Sequence, residues 1–170
     1  VADHLAPPGA PSRKTIGSGM NLFELLVEQN PDGVLAFDRE YRYTIWNPVM
    51  ERLSGYRRDE VLGKNAFEVF PFLREIGEDR CFEAALQGEI AESRNQRYRI
   101  QQTDRTGFFD GYYMPVRDAS GAVTGGLGFI RNVTARHEAE ARAKESREFF
   151  ESYMAFIPGD HGSGMPQYIS

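Results

Sequence analysis

From residue 92 onward the apolar side chains recur at every second position, and they do so in three successive runs. "ESRNQRYRIQQ" sets Tyr98 and Ile100 on one face and Arg97, Arg99 and Gln101 on the other. "FFDGYYMPV" alternates again, and "AVTGGLGFIRNV" completes the series. The turns "DRTG" and "RDASG" separate them. Side chains on a strand point alternately to its two faces, so a period of two marks a half-buried strand. Three such runs joined by short polar turns predict an antiparallel meander, which needs further strands or helices to cover one face.

The upstream chain supplies both. "NLFELLVEQN" predicts a short helix with Leu22, Leu25, Leu26 and Gln29 on one face, ended by Asn30-Pro31. "DGVLAFDRE" and "YRYTIWN" read as two strands joined through Asp38-Arg39-Glu40 as a hairpin. Residues 48–88 then carry helical signals in short pieces. Asn47, Pro48 and Gly55 mark the cap, first turn and stop of one helix, and Gly63 ends "RDEVLGK". "EDRCFEAALQG" places Phe82, Ala85 and Leu86 on one stripe before Gly88. Residues 1–20, rich in Pro, Gly and Ser, read as a disordered leader.

Composition narrows the function. With 41% hydrophobic residues in 170, the chain can bury one domain's core. Its net charge of −5 argues against nucleic acid or direct contact with an anionic membrane. One cysteine, Cys81, excludes an internal disulfide and fits a reducing, cytoplasmic setting. No apolar run approaches the ~18–20 residues of a membrane span. No pair of His, Cys or Asp has metal-ligand spacing. There is no phosphate-binding loop, nucleophile elbow or kinase catalytic loop. "TGGLG" lies in a strand pattern, so its glycines mark a close approach of backbone and not a nucleotide cradle. The chain itself therefore reads as non-catalytic.

The order strand-strand, small helices, three strands carries particular words: "NPDGVLAFDRE", "IWNPVMERLSGYRRDEVLGK" and "MPVRDASGAVTGGLGFIRNVTAR". Together they resemble the PAS sensor family over about residues 21–136. The resemblance implies an α+β fold with a five-stranded antiparallel sheet of order 2-1-5-4-3. Small helices would lie on one face, with flanking N- and C-terminal helices. It implies a regulatory module at 21–134, a signalling helix at 135–157, and a flexible tail or the start of a next segment at 158–170. The parent it implies is a signalling protein, most often a histidine kinase of a two-component system, with a diguanylate cyclase or phosphodiesterase output as the alternative. The family often has Asp before Ile/Val-Thr at the end of its last strand. Here Asn132 precedes Val133 and Thr134, so the family's ion pair with a nearby Arg is lost.

The resemblance also frames what a pocket could hold. In the light-sensing LOV branch a cysteine bonds flavin and a glutamine on the last strand contacts the ring. The matching places here are Ala66, within "GKNAFEVF", and Ile130. Without those contacts a buried flavin leaves polar edges unpaired. Heme needs an axial ligand, and His4, His137 and His161 lie in the tails or after the last strand. Cys81, near the place where heme-binding relatives carry their histidine, reads as a small hydrophobe. No flavin or heme is expected, and a sensor loaded with either stands as an alternative to the module without a cofactor.

Alternation and the resemblance select Leu35, Phe37, Trp46, Asn65, Ala66, Phe67, Phe70, Tyr98, Ile100, Phe109, Gly111, Tyr113, Gly128 and Ile130 as pocket candidates. Gly111 and Gly128 leave room, and the rings around them can equally close it. "GKNAFEVF" thus reads as packing, with a lid over a small apolar ligand as the alternative, Tyr98 or Tyr113 offering it a hydroxyl. Val34, Ala36, Leu127 and Phe129 are expected on an exposed outer sheet face that calls for a cover. Ala139, Ala143, Ser146, Phe150, Tyr153 and Ile157 follow 4-3-4-3-4 spacing, a short coiled-coil seam. With the 21–29 helix and residues Asn132 and Thr134 at the junction, these predict a homodimer that relays a signal through the C-terminal helix to an output domain. A charged helix lying on its own domain is the alternative.

Overall fold

The computed structural model describes residues 21–156. They form two units that part between Val133 and Thr134. In the first, helix α1 (Leu22–Glu28) precedes the strands β1 (Gly33–Asp38) and β2 (Tyr43–Trp46). Five short helices follow: α2 (Pro48–Ser54), α3 (Arg58–Val61), α4 (Ala66–Val69), α5 (Phe72–Glu75) and α6 (Asp79–Leu86). Strands β3 (Ala91–Ile100), β4 (Arg105–Arg117) and β5 (Val123–Asn132) then complete one antiparallel sheet of order β2-β1-β5-β4-β3. This is the order and strand count that the family resemblance implies. Helix α5, which begins directly after Pro71, is absent from that reading.

Local chemistry sets the boundaries. Asn21 caps α1 through a reciprocal box with Glu24. Asn47 Oδ1 accepts from the Met50 N–H, Pro48 opens α2, and Gly55 closes it at a φ of 77°. In β5, a side chain on Gly125 would stand 2.2 Å from the Phe37 carbonyl oxygen, and one on Gly126 2.2 Å from the Phe37 ring. Those two glycines let β5 lie flat against β1 and accept the Phe37 ring across the pair.

The core lies between the sheet and helices α2 to α6. Leu35, Phe37, Tyr43, Trp46, Phe67, Phe70, Phe82, Tyr98, Phe109 and Tyr113 are all buried in one cluster. Its rings are interlocked. Phe82 stands 4.4 Å from Phe37 and 5.1 Å from Tyr113 between centroids, and Trp46 stacks on Phe70 at 5.8 Å with 11° between planes. Burial of each such side chain contributes about 1.5–3 kcal/mol.

The second unit is α7 (Thr134–Phe156), 23 residues of continuous helix. Arg136–Glu140 and Lys144–Glu148 pair one turn apart along it. Phe149, Phe150, Tyr153, Met154 and Phe156 are exposed, so its C-terminal third is an uncovered aromatic surface. Of the predicted seam, Ile157 lies outside the described residues, as do the predicted leader and tail.

Candidate functional site

An almost wholly apolar cavity sits in the core. Leu35 of β1, Tyr43 and Trp46 of β2, and Ile130 of β5 form its floor, with Tyr98 and Ile100 of β3 and Phe109 and Tyr113 of β4. Met50, Leu53 and Ser54 of α2, Phe70, Phe72 and Leu73 around α5, and Phe82 of α6 form its roof. The cavity measures about 60 Å³. An apolar cavity of about 150 Å³ accommodates benzene, so in this conformation only a few heavy atoms fit. Ser54 spends its hydroxyl on the Met50 carbonyl at 2.8 Å. Burial holds the Tyr43 and Tyr98 hydroxyls above their ordinary value, against an opposing pull of Arg105 on Tyr98. They are neutral at physiological pH, and the walls offer a ligand shape and hydroxyls, not charge.

The structure places the predicted pocket residues in two groups. Leu35, Trp46, Phe70, Tyr98, Ile100, Phe109, Tyr113 and Ile130 line the cavity. Phe37, Asn65, Ala66, Phe67, Gly111 and Gly128 do not. Asn65 caps α4, accepting from the Phe67 N–H and donating to the Glu40 carbonyl, both at 2.9 Å. Ala66 is fully buried. Phe67 packs on Phe82 at 5.4 Å and Tyr41 at 5.1 Å, with the Arg74 guanidinium 4.8 Å from its ring. Of "GKNAFEVF", only Phe70 touches the cavity.

The side chains around Gly111 and Gly128 close the room beside them, the second of the two readings left open for these glycines, whereas the exposed outer sheet face is corrected. A Cβ on Gly111 would meet Glu78 Oε1 and the Tyr113 ring at 2.7 Å, and one on Gly128 would meet Leu35 at 2.9 Å. The outer sheet face is not an open apolar surface. Val34 and Ala36 are buried, and Leu127 and Phe129 are half-buried. Charge crosses this face as well: Arg131 pairs with Asp32 at 2.8 Å and Arg94 with Glu92 at 2.8 Å, beside Phe129. On α1, Leu22 and Leu26 of the predicted stripe are exposed, Leu25 is half-buried, and Phe23 and Val27 share a groove with Ile45 and Leu62. Phe23 is itself exposed, and of the predicted stripe Leu25 alone is partly covered. At the junction, Asn132 is exposed and Thr134 half-buried.

Sequence reasoning missed Tyr43, Met50, Leu53, Ser54, Phe72, Leu73 and Phe82 as cavity walls. It also missed a buried polar cluster beside the cavity. Glu78, at the start of α6, is 1% exposed, and its Oε1 accepts from Ser93 Oγ at 2.8 Å. Burial raises the Glu78 carboxyl above its ordinary value, the Tyr113 and Ser93 hydroxyls oppose the rise, and Asp79 adds to it. Burial likewise pushes the nearby Cys81 thiol up to about 11, helped by the charges of Glu78 and Asp79. That thiol is no ready nucleophile at neutral pH.

Among the described residues no group of three His, Cys, Asp or Glu is arranged to hold a metal. No described helix is long and apolar enough to cross a membrane.

Comparisons with known proteins agree with this geometry. The chain is 25% identical over 129 residues to the signal transduction histidine-protein kinase AtoS of Escherichia coli, covering 74% of this chain and 20% of that one. It thus spans about a fifth of that relative's length. Among solved structures it is similar to an RNA-binding light-oxygen-voltage receptor, with a TM-score of 0.58 at 21% identity, over 88% of this chain and 43% of that one. It is also similar to the PAS domain of a protein from Colwellia psychrerythraea, with a TM-score of 0.54 at 20% identity, over 66% of this chain and 95% of that one. The family model described as the PAS fold matches residues 27–138. That match takes in every strand and the helices that roof the cavity, and on it this chain belongs to the PAS fold family.

Proposed function

We propose that this chain is a non-catalytic PAS sensory module of a cytoplasmic signalling protein, and that it works as a parallel homodimer through α7. The output domain we assign to it is a histidine kinase. The observation that carries the reading is α7 itself. An isolated helix gains its stability chiefly from packing, yet this one runs 23 residues and ends in five exposed large apolar side chains. A partner helix in parallel register would bury Phe150 and Tyr153 against their counterparts. The similarity to a histidine kinase supports the choice of output. A change in the sensor would rotate or slide the helix pair and bias the domain beyond it. Leu22, Leu25, Leu26, Leu127 and Phe129 form the proposed second contact; with Phe129 half-buried among ion pairs, α7 bears most of the association.

The cavity supports a second reading, a sensor of a small apolar ligand. Its almost wholly apolar walls and neutral hydroxyls favour such a molecule, and at about 60 Å³ it leaves no space for flavin or heme without displacing core rings. Light scattering at micromolar concentration tests the first reading: a dimer in the intact chain and a monomer with Phe129→Glu and Phe150→Glu are expected. A monomer in the intact chain, or a dimer unaffected by the double change, refutes it. Native mass spectrometry tests the second through the mass of a retained ligand.

A further inference from the structure

Of the buried groups, Glu78 is the one that core packing does not explain. Its carboxyl lies inside the fold with Oε1 held by Ser93, while Oε2 has no hydrogen-bond partner among the described residues. A buried carboxylate oxygen left unpaired in apolar surroundings is costly, and the cost falls when the group takes up a proton. The site is nevertheless shaped for it. Gly111 has no side chain where one would strike Oε1 at 2.7 Å, and a bulge in β3 between Ser93 and Gln96 turns Ser93 inward toward it. Glu78 also stands at the α5–α6 junction: its N–H donates to the Leu73 carbonyl at 2.8 Å, and its own carbonyl accepts from Cys81 at 2.9 Å.

We propose that Glu78 is a proton-operated latch: neutral, its carboxyl stays in the core and ties the α5–α6 junction to β3 through Ser93; ionised, it leaves the core and releases that junction. The proton goes to solvent. Release acts on the cavity because Phe72 and Leu73, just before the junction, and Phe82, just after it, are three of its walls.

The groups facing the carboxyl divide: the charge of Asp79 favours the neutral form, and the Ser93 and Tyr113 hydroxyls favour the ionised one. From α6 these are Asp79 and the Cys81 thiol, from β3 the Ser93 hydroxyl, and from β4 the Tyr113 hydroxyl, beyond which lies Tyr43 of β2. β5 turns Gly126, Gly128 and Ile130 to this side, none of which titrates. No cation acts on Glu78 among the described residues. The two hydroxyls oppose the rise, and burial outweighs them.

The sign follows from linkage. A carboxyl that binds its proton more tightly in the folded state contributes stability that is full below its unfolded value of 4.5, and that is lost as pH rises through the folded value. Each pH unit between the two values shifts the unfolding equilibrium about tenfold toward the unfolded state.

The test is thermal unfolding of the full chain from pH 5 to pH 9 (about the range over which a raised carboxyl titrates), beside Glu78→Gln, the neutral isostere. The expected result is a midpoint that falls with pH in the native chain and a flatter profile in Glu78→Gln. Parallel profiles overturn the latch. Should Glu78→Gln fail to fold, the carboxyl ¹³C shift of Glu78 in the unaltered protein decides. Titration well above 4.5 supports the latch, and titration at or below 4.5 overturns it. Hydrogen exchange separates a local latch from general loss of stability. Protection of the Glu78 and Cys81 amides is expected to fall with pH more steeply than that of Val34 and Asn47, which follow global stability; a fall of equal size at all four overturns the local release.

Discussion

Val34 and Asn47 hold each other by a hydrogen bond in each direction. The Val34 N–H donates to Asn47 Oδ1 at 2.9 Å, and the Asn47 backbone N–H donates to the Val34 carbonyl at 3.1 Å. The same amide side chain donates from Nδ2 to the Asp32 carbonyl at 3.0 Å and the Val27 carbonyl at 3.1 Å, and accepts from the Met50 N–H. One fully buried residue thus fixes the end of α1, the start of β1 and the start of α2. The sequence marks Asn47 only as a helix cap; its other three partners lie up to 20 residues away.

Asn47→Ala is accordingly expected to destabilise the domain by roughly 2–3 kcal/mol, more than a cap alone is worth, because buried backbone donors and acceptors are left without partners. Urea unfolding measures it. A loss below about 1 kcal/mol, the value of an ordinary cap, contradicts the three-way role.

Gly111→Leu is expected to destabilise by roughly 1–3 kcal/mol, since the added side chain overpacks a filled site. The neighbours it would strike are Glu78, Tyr113 and Ser93. A rise in thermal midpoint would show open space there instead.

How much of this was legible follows from where strand alternation holds. Tyr98, Ile100, Phe109, Tyr113 and Ile130 face the core as a strict period of two requires, and the sheet order follows from the family words. The period fails at bulges, where one extra residue reverses the faces. The register shift in the β1–β2 pair sets both Tyr43 and Trp46 against the core, although they are three residues apart. The shift in β3, with Asn95 at a φ of 52°, sets Ser93 inward with Tyr98. Neither bulge has a glycine or proline to announce it. The burial of Glu78 was hidden for a different reason: a carboxylate ahead of a helix reads as a solvated cap, and only the glycine opposite it, 33 positions on, makes room in the core.

The purified chain is expected to be colourless between 350 and 500 nm (about the range in which flavin and heme absorb) and unresponsive to blue light. Ala66 offers no thiol, and it lies outside the cavity wall. An absorbance scan before and after illumination checks this. A bleaching and recovering flavin band contradicts it.

The association through α7 is tested most directly by cysteine cross-linking in a Cys81→Ala background. Tyr153 lies on the proposed seam, whereas Glu148 is about half a turn away from Phe150 around the helix. In a parallel dimer Tyr153→Cys faces its own counterpart and is expected to form an intermolecular disulfide rapidly under mild oxidant, while Glu148→Cys stays largely monomeric. Equal cross-linking at the two positions, or none at either, contradicts a parallel pair of α7 helices and with it the proposed route of the signal.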